Sequence, residues 1–195
     1  SSNNVNHFIV KDLNRPTTQK LRYKANNNTV FRINDYSENI LSKSAENLIY
    51  SKFLENINKY DIVILSDFSY GALSPNLINN IIKISNKNNL IVASDSQSSS
   101  QIGDITKFKK SAIITPTEHE ARLALKNNDD GIFELAKKLR KVCMVQTVLL
   151  TLGSEGVLIV TDENGNEDLK TDIIPSLQKN VIDLAGAGDA LLVGM

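Results

Sequence analysis

The segment Asp183-Leu184-Ala185-Gly186-Ala187-Gly188-Asp189 sets two glycines and a closing carboxylate directly ahead of the apolar run Ala190-Leu191-Leu192-Val193. Glycine lets a backbone turn tightly and come close to a ligand, and the N–H groups that open a helix have no partner within it. With the positive end of the helix dipole, those groups attract a phosphate, and a carboxylate beside them can take a proton from an attacking hydroxyl. The segment reads as an anion cradle with a base, and the chemistry it suits is phosphoryl transfer. The plainer alternative is a glycine-rich loop whose Asp caps the next helix.

Two earlier segments share the pattern of a strand followed by a special turn. Thr151-Leu152-Gly153-Ser154-Glu155-Gly156-Val157 lies between the β-branched and apolar runs 147–150 and 157–160, which reads as strand, glycine turn and strand. On its own it is an ordinary hairpin. Thr115-Pro116-Thr117-Glu118-His119-Glu120 follows the apolar Ala112-Ile113-Ile114 and precedes an amphipathic run over 121–125. Thr117 with Glu120 three residues later also has the spacing of a capping box, which satisfies the first donors of a helix without any ligand.

Taken together and in this order, the three segments resemble the signatures of the ribokinase-like carbohydrate kinases. Those read Thr-Pro-Asn-x-x-Glu, Thr-x-Gly-x-x-Gly, and Asp-Thr-x-Gly-Ala-Gly-Asp before a helix with a further Gly, which Gly194 matches. The resemblance implies ATP as phosphoryl donor and Mg2+ as cofactor. It makes Asp189 the catalytic base and Gly186, Ala187 and Gly188 the anion hole. It assigns Thr117, Thr151, Gly153, Ser154 and Gly156 to the nucleotide, with the glycines allowing close backbone approach. Glu120 would organise the metal, through water. Two departures stand out: Leu184 where the family has Thr, and Thr117 where it has Asn.

Further stretches are similar to the heptose-phosphate kinase branch. Thr17-Thr18-Gln19-Lys20-Leu21-Arg22, followed by Arg32-Ile33-Asn34, resembles Thr-Thr-x-Lys-Thr-Arg and Arg-Val-Asp. Ile64 to Leu73 resembles Leu-Ser-Asp-Tyr-x-Lys-Gly-Val-Leu without its lysine, and Ala93-Ser94-Asp95-Ser96-Gln97 stands where the branch has Val-Asp-Pro-Lys. Lys20, Arg22 and Arg32 would serve a phosphorylated sugar, since a phosphate held in place favours ammonium and guanidinium partners. The alternative is the solvated face of a strand pair. The implied reaction is phosphorylation of a sugar or sugar-phosphate hydroxyl, with heptose 7-phosphate the acceptor that the branch suggests. Another sugar or nucleoside kinase, or a nucleotide-binding module without turnover, are the competing readings.

The elements that must position these residues follow from periodicity. Strands are expected at 61–65 (buried), 90–93 and 112–114. A helix begins at Ser74-Pro75 with Leu77, Ile78, Ile81, Ile82 and Ile84 on one face, and another runs through Ile132, Phe133, Leu135, Ala136 and Leu139. A short helix is expected over 105–108, and Thr117 caps one more. Repeated strand-helix-strand order predicts a mainly parallel sheet flanked by helices, with ligands beyond the carboxyl ends of its strands. The turn 162–166 predicts an antiparallel hairpin at its edge, and residues 22–24 and 29–33 around Asn26-Asn27-Asn28 predict a strand pair, the small β lid of an α/β ribokinase-like fold. The Ser98-Ser99-Ser100 patch reads as a loop. An exposed lid edge also invites a homodimer.

At 195 residues, 41% hydrophobic and 23% charged, the chain has the makings of one globular domain. Lys+Arg 22 balance Asp+Glu 22, so no basic surface argues for nucleic acid and no polybasic tail for a membrane. The single Cys143 suits a buried structural thiol and a reducing cytoplasm better than a nucleophile, and with only His7 and His119 a zinc site has too few ligands. In the resembled family further chain precedes the lid and follows the base-bearing helix, so an internal piece of a longer kinase is expected.

Overall fold

The computed structural model describes residues 6–25, 28–35, 37, 39–96, 103–163, 165, 168–176 and 186–194. Asn26, Asn27, Gln97, the Ser98–Ser100 patch and Leu184 lie outside the described residues. Six strands form the main sheet. β3 (Ile62–Asp67), β4 (Ile91–Ser96), β5 (Ile113–Ile114) and β6 (Thr147–Thr151) run parallel in that order. β7 (Val157–Asp162) and β8 (Leu169–Ile174) then add antiparallel at one edge, as the hairpin pattern predicts. The expected α/β sheet, parallel with an antiparallel margin, is the one observed.

A separate ribbon pairs β1 (Gln19–Ala25) with β2 (Asn28–Asp35), in a register that sets Lys20 opposite Asn34, Leu21 opposite Ile33, Arg22 opposite Arg32 and Tyr23 opposite Phe31. Because side chains alternate along a strand, Lys20, Arg22 and Asn34 belong to one face. Leu21, Tyr23, Phe31 and Ile33 belong to the other, where the Tyr23 and Phe31 rings stack with centroids 4.2 Å apart.

The core lies between the main sheet and its helices. Ser74 caps α2 (Pro75–Lys87), its Oγ accepting from Leu77 N at 3.1 Å, and Leu77, Ile78, Ile81 and Ile82 turn inward. The next buried position is Ser85 rather than Ile84, because a 3.6-residue period carries the stripe from Ile78 and Ile81 onward to 85. α3 (Glu118–Leu125) and α4 (Ile132–Cys143) complete the packing, the latter through Leu135, Ala136, Leu139 and Cys143. Phe108, Ile114, Val148, Leu150 and Val160 are fully enclosed among them. Burial pushes the Cys143 thiol up to about 12, so it stays protonated and unreactive.

The buried strand expected over 61–65 is instead the sheet's edge. Ile62 and Ile64 remain 52% and 42% exposed, and only the alternate side chains, Leu65 and Asp67, turn into the interior. α1 (Lys43–Asn56) has no counterpart among the expected elements. Its apolar residues are spread too widely around the helix to make a clear stripe, and a side-chain cap from Ser42 starts it. Buried Glu46 ties it to α2 by accepting from Ser74 Oγ at 2.9 Å. α5 (Ala187–Gly194) lies against β4. No helix among the described residues is long and apolar enough to cross a membrane.

Candidate active site

Two of the motif segments meet at the carboxyl ends of β5 and β6. Thr151 N donates to Pro116 O at 2.9 Å and Thr117 bridges to Thr151 in parallel, which lays the Thr-Pro-Thr turn beside the glycine turn. The capping box is formed in both halves. Glu120 N donates to Thr117 Oγ1 at 3.2 Å, and Thr117 N donates to Glu120 Oε2 at 2.8 Å. Capping therefore also fixes the Glu120 carboxylate, only 9% of the residue exposed, at the edge where ligands of such sheets gather.

The third segment arrives from α5. Gly186 has φ +85 and its carbonyl accepts from Ala190 N at 2.9 Å, so helical bonding begins there and glycine, not a side chain, opens the helix. Asp189 lies within the first turn, half-buried, and is not the cap that the plainer reading made it. A Cβ built at Gly186 or Gly188 would meet nothing within 4 Å, so space lies open over the helix N-terminus.

Asp95 joins these groups at the end of β4. Its Oδ1 accepts from Thr115 Oγ1 at 3.0 Å, yet burial, with the nearby charges of Glu120 and Asp189, raises its carboxyl from 3.8 to about 6. The charges of Glu120 and Asp189 thus both act on the Asp95 carboxyl, a setting in which a divalent cation would be favourable. No three acidic, His or Cys side chains among the described residues are grouped as ligands of one ion.

The strain has a measurable sign. The folded protein keeps the Asp95 proton to a higher pH than the unfolded chain, so this contribution favours folding below 3.8 and is lost as pH rises to about 6. Above that, ionised Asp95 costs on the order of 1 to 3 kcal/mol, at about 1.4 kcal/mol per pKa unit. Asp95→Asn, which can still accept from Thr115, is expected to raise Tm at pH 7.5 and to give no gain at pH 4. An unchanged Tm at pH 7.5 contradicts this.

The glycine turn separates into two roles. Gly153 has φ +63, is exposed, and would place a Cβ in open space, as a residue approached by a ligand should. Ser154 is exposed beside it. Gly156 differs: with φ +107, its Cβ would stand 2.0 Å from Ile174 O and 2.8 Å from Pro175 Cα. The close backbone approach there is made by the chain itself, at the end of β8, which is a reason for glycine that periodicity does not reveal.

Across the sheet toward β3, the ribbon encloses a second space. Lys20 Nζ lies 4.1 Å over the Phe68 ring and 5.1 Å over Tyr70. A cleft of ≈ 380 Å³ is lined by Arg15, Lys20, Asp67, Phe68 and Tyr70, among others. Of the three basic residues read from sequence, Lys20 reaches this cleft, and Arg22 stands exposed farther along the strand. Arg32 pairs with Arg22 in the backbone ladder. Arg15, whose guanidinium donates to Tyr70 O, escaped the sequence reading, as did the roles of Asp95 and Asp67. A carboxylate at the last turn of a predicted strand was the available signal for both.

The chain has recognisable relatives in sequence and in fold. The chain is 30% identical over 195 residues to a "Bifunctional protein HldE" of Sulfurimonas denitrificans, covering 98% of this chain and 38% of the relative. It is 32% identical over 188 residues to the protein of that name in Campylobacter fetus subsp. fetus, covering 95% and 38%. It therefore spans well under half the length of the curated relatives it matches. In fold it is similar to ribokinase from Giardia lamblia, with a TM-score of 0.66, 21% identity, and 91% of this chain and 53% of that chain covered. Phosphofructokinase-2 from Escherichia coli superposes with a TM-score of 0.62 at 12% identity, covering 89% and 54%. The family described as "pfkB family carbohydrate kinase" matches residues 1–195, and the chain belongs to that family.

Proposed function

We propose that this chain carries the phosphoryl-transfer centre of an ATP-dependent kinase acting on a sugar-phosphate hydroxyl, with heptose 7-phosphate as acceptor. The observation that supports it most is the half-buried Asp189 in the first turn of α5, close enough to the β4 end for its charge to act on Asp95. The acceptor oxygen attacks the γ-phosphorus while its proton passes to the Asp189 carboxylate. A new O–P bond forms, the bond from phosphorus to the β,γ-bridging oxygen breaks, and ADP leaves. Backbone N–H groups over Gly186, Ala187 and Gly188 receive the charge on the transferring group, as donors aimed at developing charge do.

Thr117, Thr151, Gly153, Ser154 and the backbone around Gly156 line the nucleotide. Glu120 and Asp95 would hold magnesium, which would supply charge neutralisation at the phosphates. Lys20, with Arg22 on its face of the ribbon and Arg32 paired to Arg22 in the ladder, serves the acceptor's own phosphate. The choice of heptose rests on the branch-like segments and on similarity to the HldE proteins. A reducing cytoplasm is the compartment that fits the buried thiol. An acceptor panel read by ADP release tests the reading. Turnover is expected with heptose 7-phosphate and at least tenfold less with unphosphorylated heptose, ribose or a nucleoside. ATP binding without transfer to any sugar contradicts it and favours a nucleotide-binding module.

The ribbon supports a homodimer. Leu21, Tyr23, Phe31 and Ile33 are 44–50% exposed on the face away from Lys20, and a two-stranded ribbon is marginal in water without something to cover it. Sedimentation is expected to show a dimer that Phe31→Glu dissociates; a monomeric parent protein overturns this.

A further inference from the structure

We infer that Asp67 and Lys107 act as a pair in acceptor recognition, Asp67 accepting a hydrogen bond from a sugar hydroxyl and Lys107 holding that carboxylate charged and aimed. This rests on the kinase reading above. Asp67 ends β3, is 3% exposed and lines the cleft beneath the ribbon. A carboxylate so enclosed needs a partner to replace the hydration it has lost. Lys107 supplies it: its ammonium contacts Asp67 Oδ2, and its side chain is 18% exposed.

The support for that lysine is rigid. Lys107 closes a 3-10 turn (Ile105–Lys107) pinned by buried Ile105 and Phe108. Asp104 Oδ1 fastens the turn's start, accepting from Thr106 N at 2.8 Å and Thr106 Oγ1 at 2.6 Å. Lys107 Nζ also donates to Ser69 Oγ at 3.3 Å, and Ser69 Oγ meets Ser96 Oγ at 3.2 Å. Ser69 has φ +61, a backbone conformation that costs a non-glycine residue energy and collects at sites where a side chain must be aimed. The end of β3, Ser69 just beyond it and, through Ser69, the end of β4 are thus tied to the Lys107 ammonium.

An ammonium is a point charge and occupies one carboxylate oxygen, unlike the two-pronged guanidinium. With Oδ2 taken, Oδ1 is the oxygen for the cleft. Facing it are Lys20 and Arg15, with Phe68 and Tyr70 as an aromatic wall. The ligand that answers both sides is polyhydroxylated at one end and anionic at the other, which is the chemistry of a sugar phosphate. Asp67 would touch the acceptor, and Lys107 is a positioning residue acting through it.

The test uses the full-length enzyme with ATP and heptose 7-phosphate, measuring KM for each substrate, kcat and Tm. Lys107→Met is expected to raise the acceptor KM at least tenfold and leave the ATP KM within twofold. Lys107→Arg should recover most of that loss. Asp67→Asn should match Lys107→Met, and the double variant should be scarcely worse than either, since the two act as a unit. If Lys107→Met does not fold, the charge-free double variant and Lys107→Arg carry the same comparison. An acceptor KM within twofold of the parent in any folded variant lacking the pair overturns the inference, as does an equal rise in both KM values. A parent enzyme that transfers phosphate to no sugar overturns the kinase reading itself, so the two failures are distinguishable.

Discussion

Replacing Asp189 by Asn in the full-length enzyme is expected to lower turnover by roughly 10²- to 10⁴-fold, the usual worth of a positioned general base. ATP affinity and folding should scarcely change. The carboxylate stands in the first turn of α5 without being its cap, so losing its charge forfeits about 0.3 to 1 kcal/mol of interaction with the helix dipole. Part of that is returned, because Asp189 is one of the charges that make ionised Asp95 costly. A purely structural Asp at this place would give the same small shift in Tm with full turnover. Retention of more than a tenth of the parental rate contradicts the assignment of Asp189 as base.

The two glycines of the Thr-x-Gly-x-x-Gly turn should respond in opposite ways. Gly156→Ala forces a Cβ to within 2.0 Å of Ile174 O, a backbone atom that cannot step aside without disturbing the β7–β8 ladder where Val157 pairs with Ile174. Overpacking together with an unfavourable φ is expected to cost on the order of 3 kcal/mol or more. In a domain of this size that lowers Tm by about 10 °C. Gly153→Ala meets no neighbour and costs only about 1 to 2 kcal/mol for its left-handed backbone. Its larger effect should be a raised KM for ATP, because the added methyl fills space proposed for the nucleotide. Equal Tm losses in the two variants, or an unchanged ATP KM in Gly153→Ala, contradict this division.

Much of the frame was legible because local patterns dictated it. Ser74-Pro75 started its helix, Thr117 and Glu120 formed both halves of their box, and the turn at 162–166 between two apolar runs led to an antiparallel margin. The proposed site was legible where one segment suggests its own chemistry, as the glycines and carboxylate of Gly186 to Asp189 do. What stayed hidden depends on contacts between distant segments. Lys107 reaches Asp67 across 40 residues, and Ile174 closes on Gly156 through strand pairing that no single window displays. The same holds for β3, whose apolar composition reads as a central strand although its place is the edge. α1 was missed for a further reason, since its few inward contacts leave no periodic stripe to read.

Single-turnover transfer from γ-labelled ATP to heptose 7-phosphate, followed side by side in the full-length parent and Asp189→Asn, reads the proposed chemistry at its reacting atoms. Label appearing in a sugar bisphosphate with the parent, and at least a hundredfold more slowly with Asp189→Asn at equal ATP occupancy, is the predicted result. Label that stays on ATP or passes only to water in the parent, or that reaches the sugar equally fast in both proteins, would contradict it.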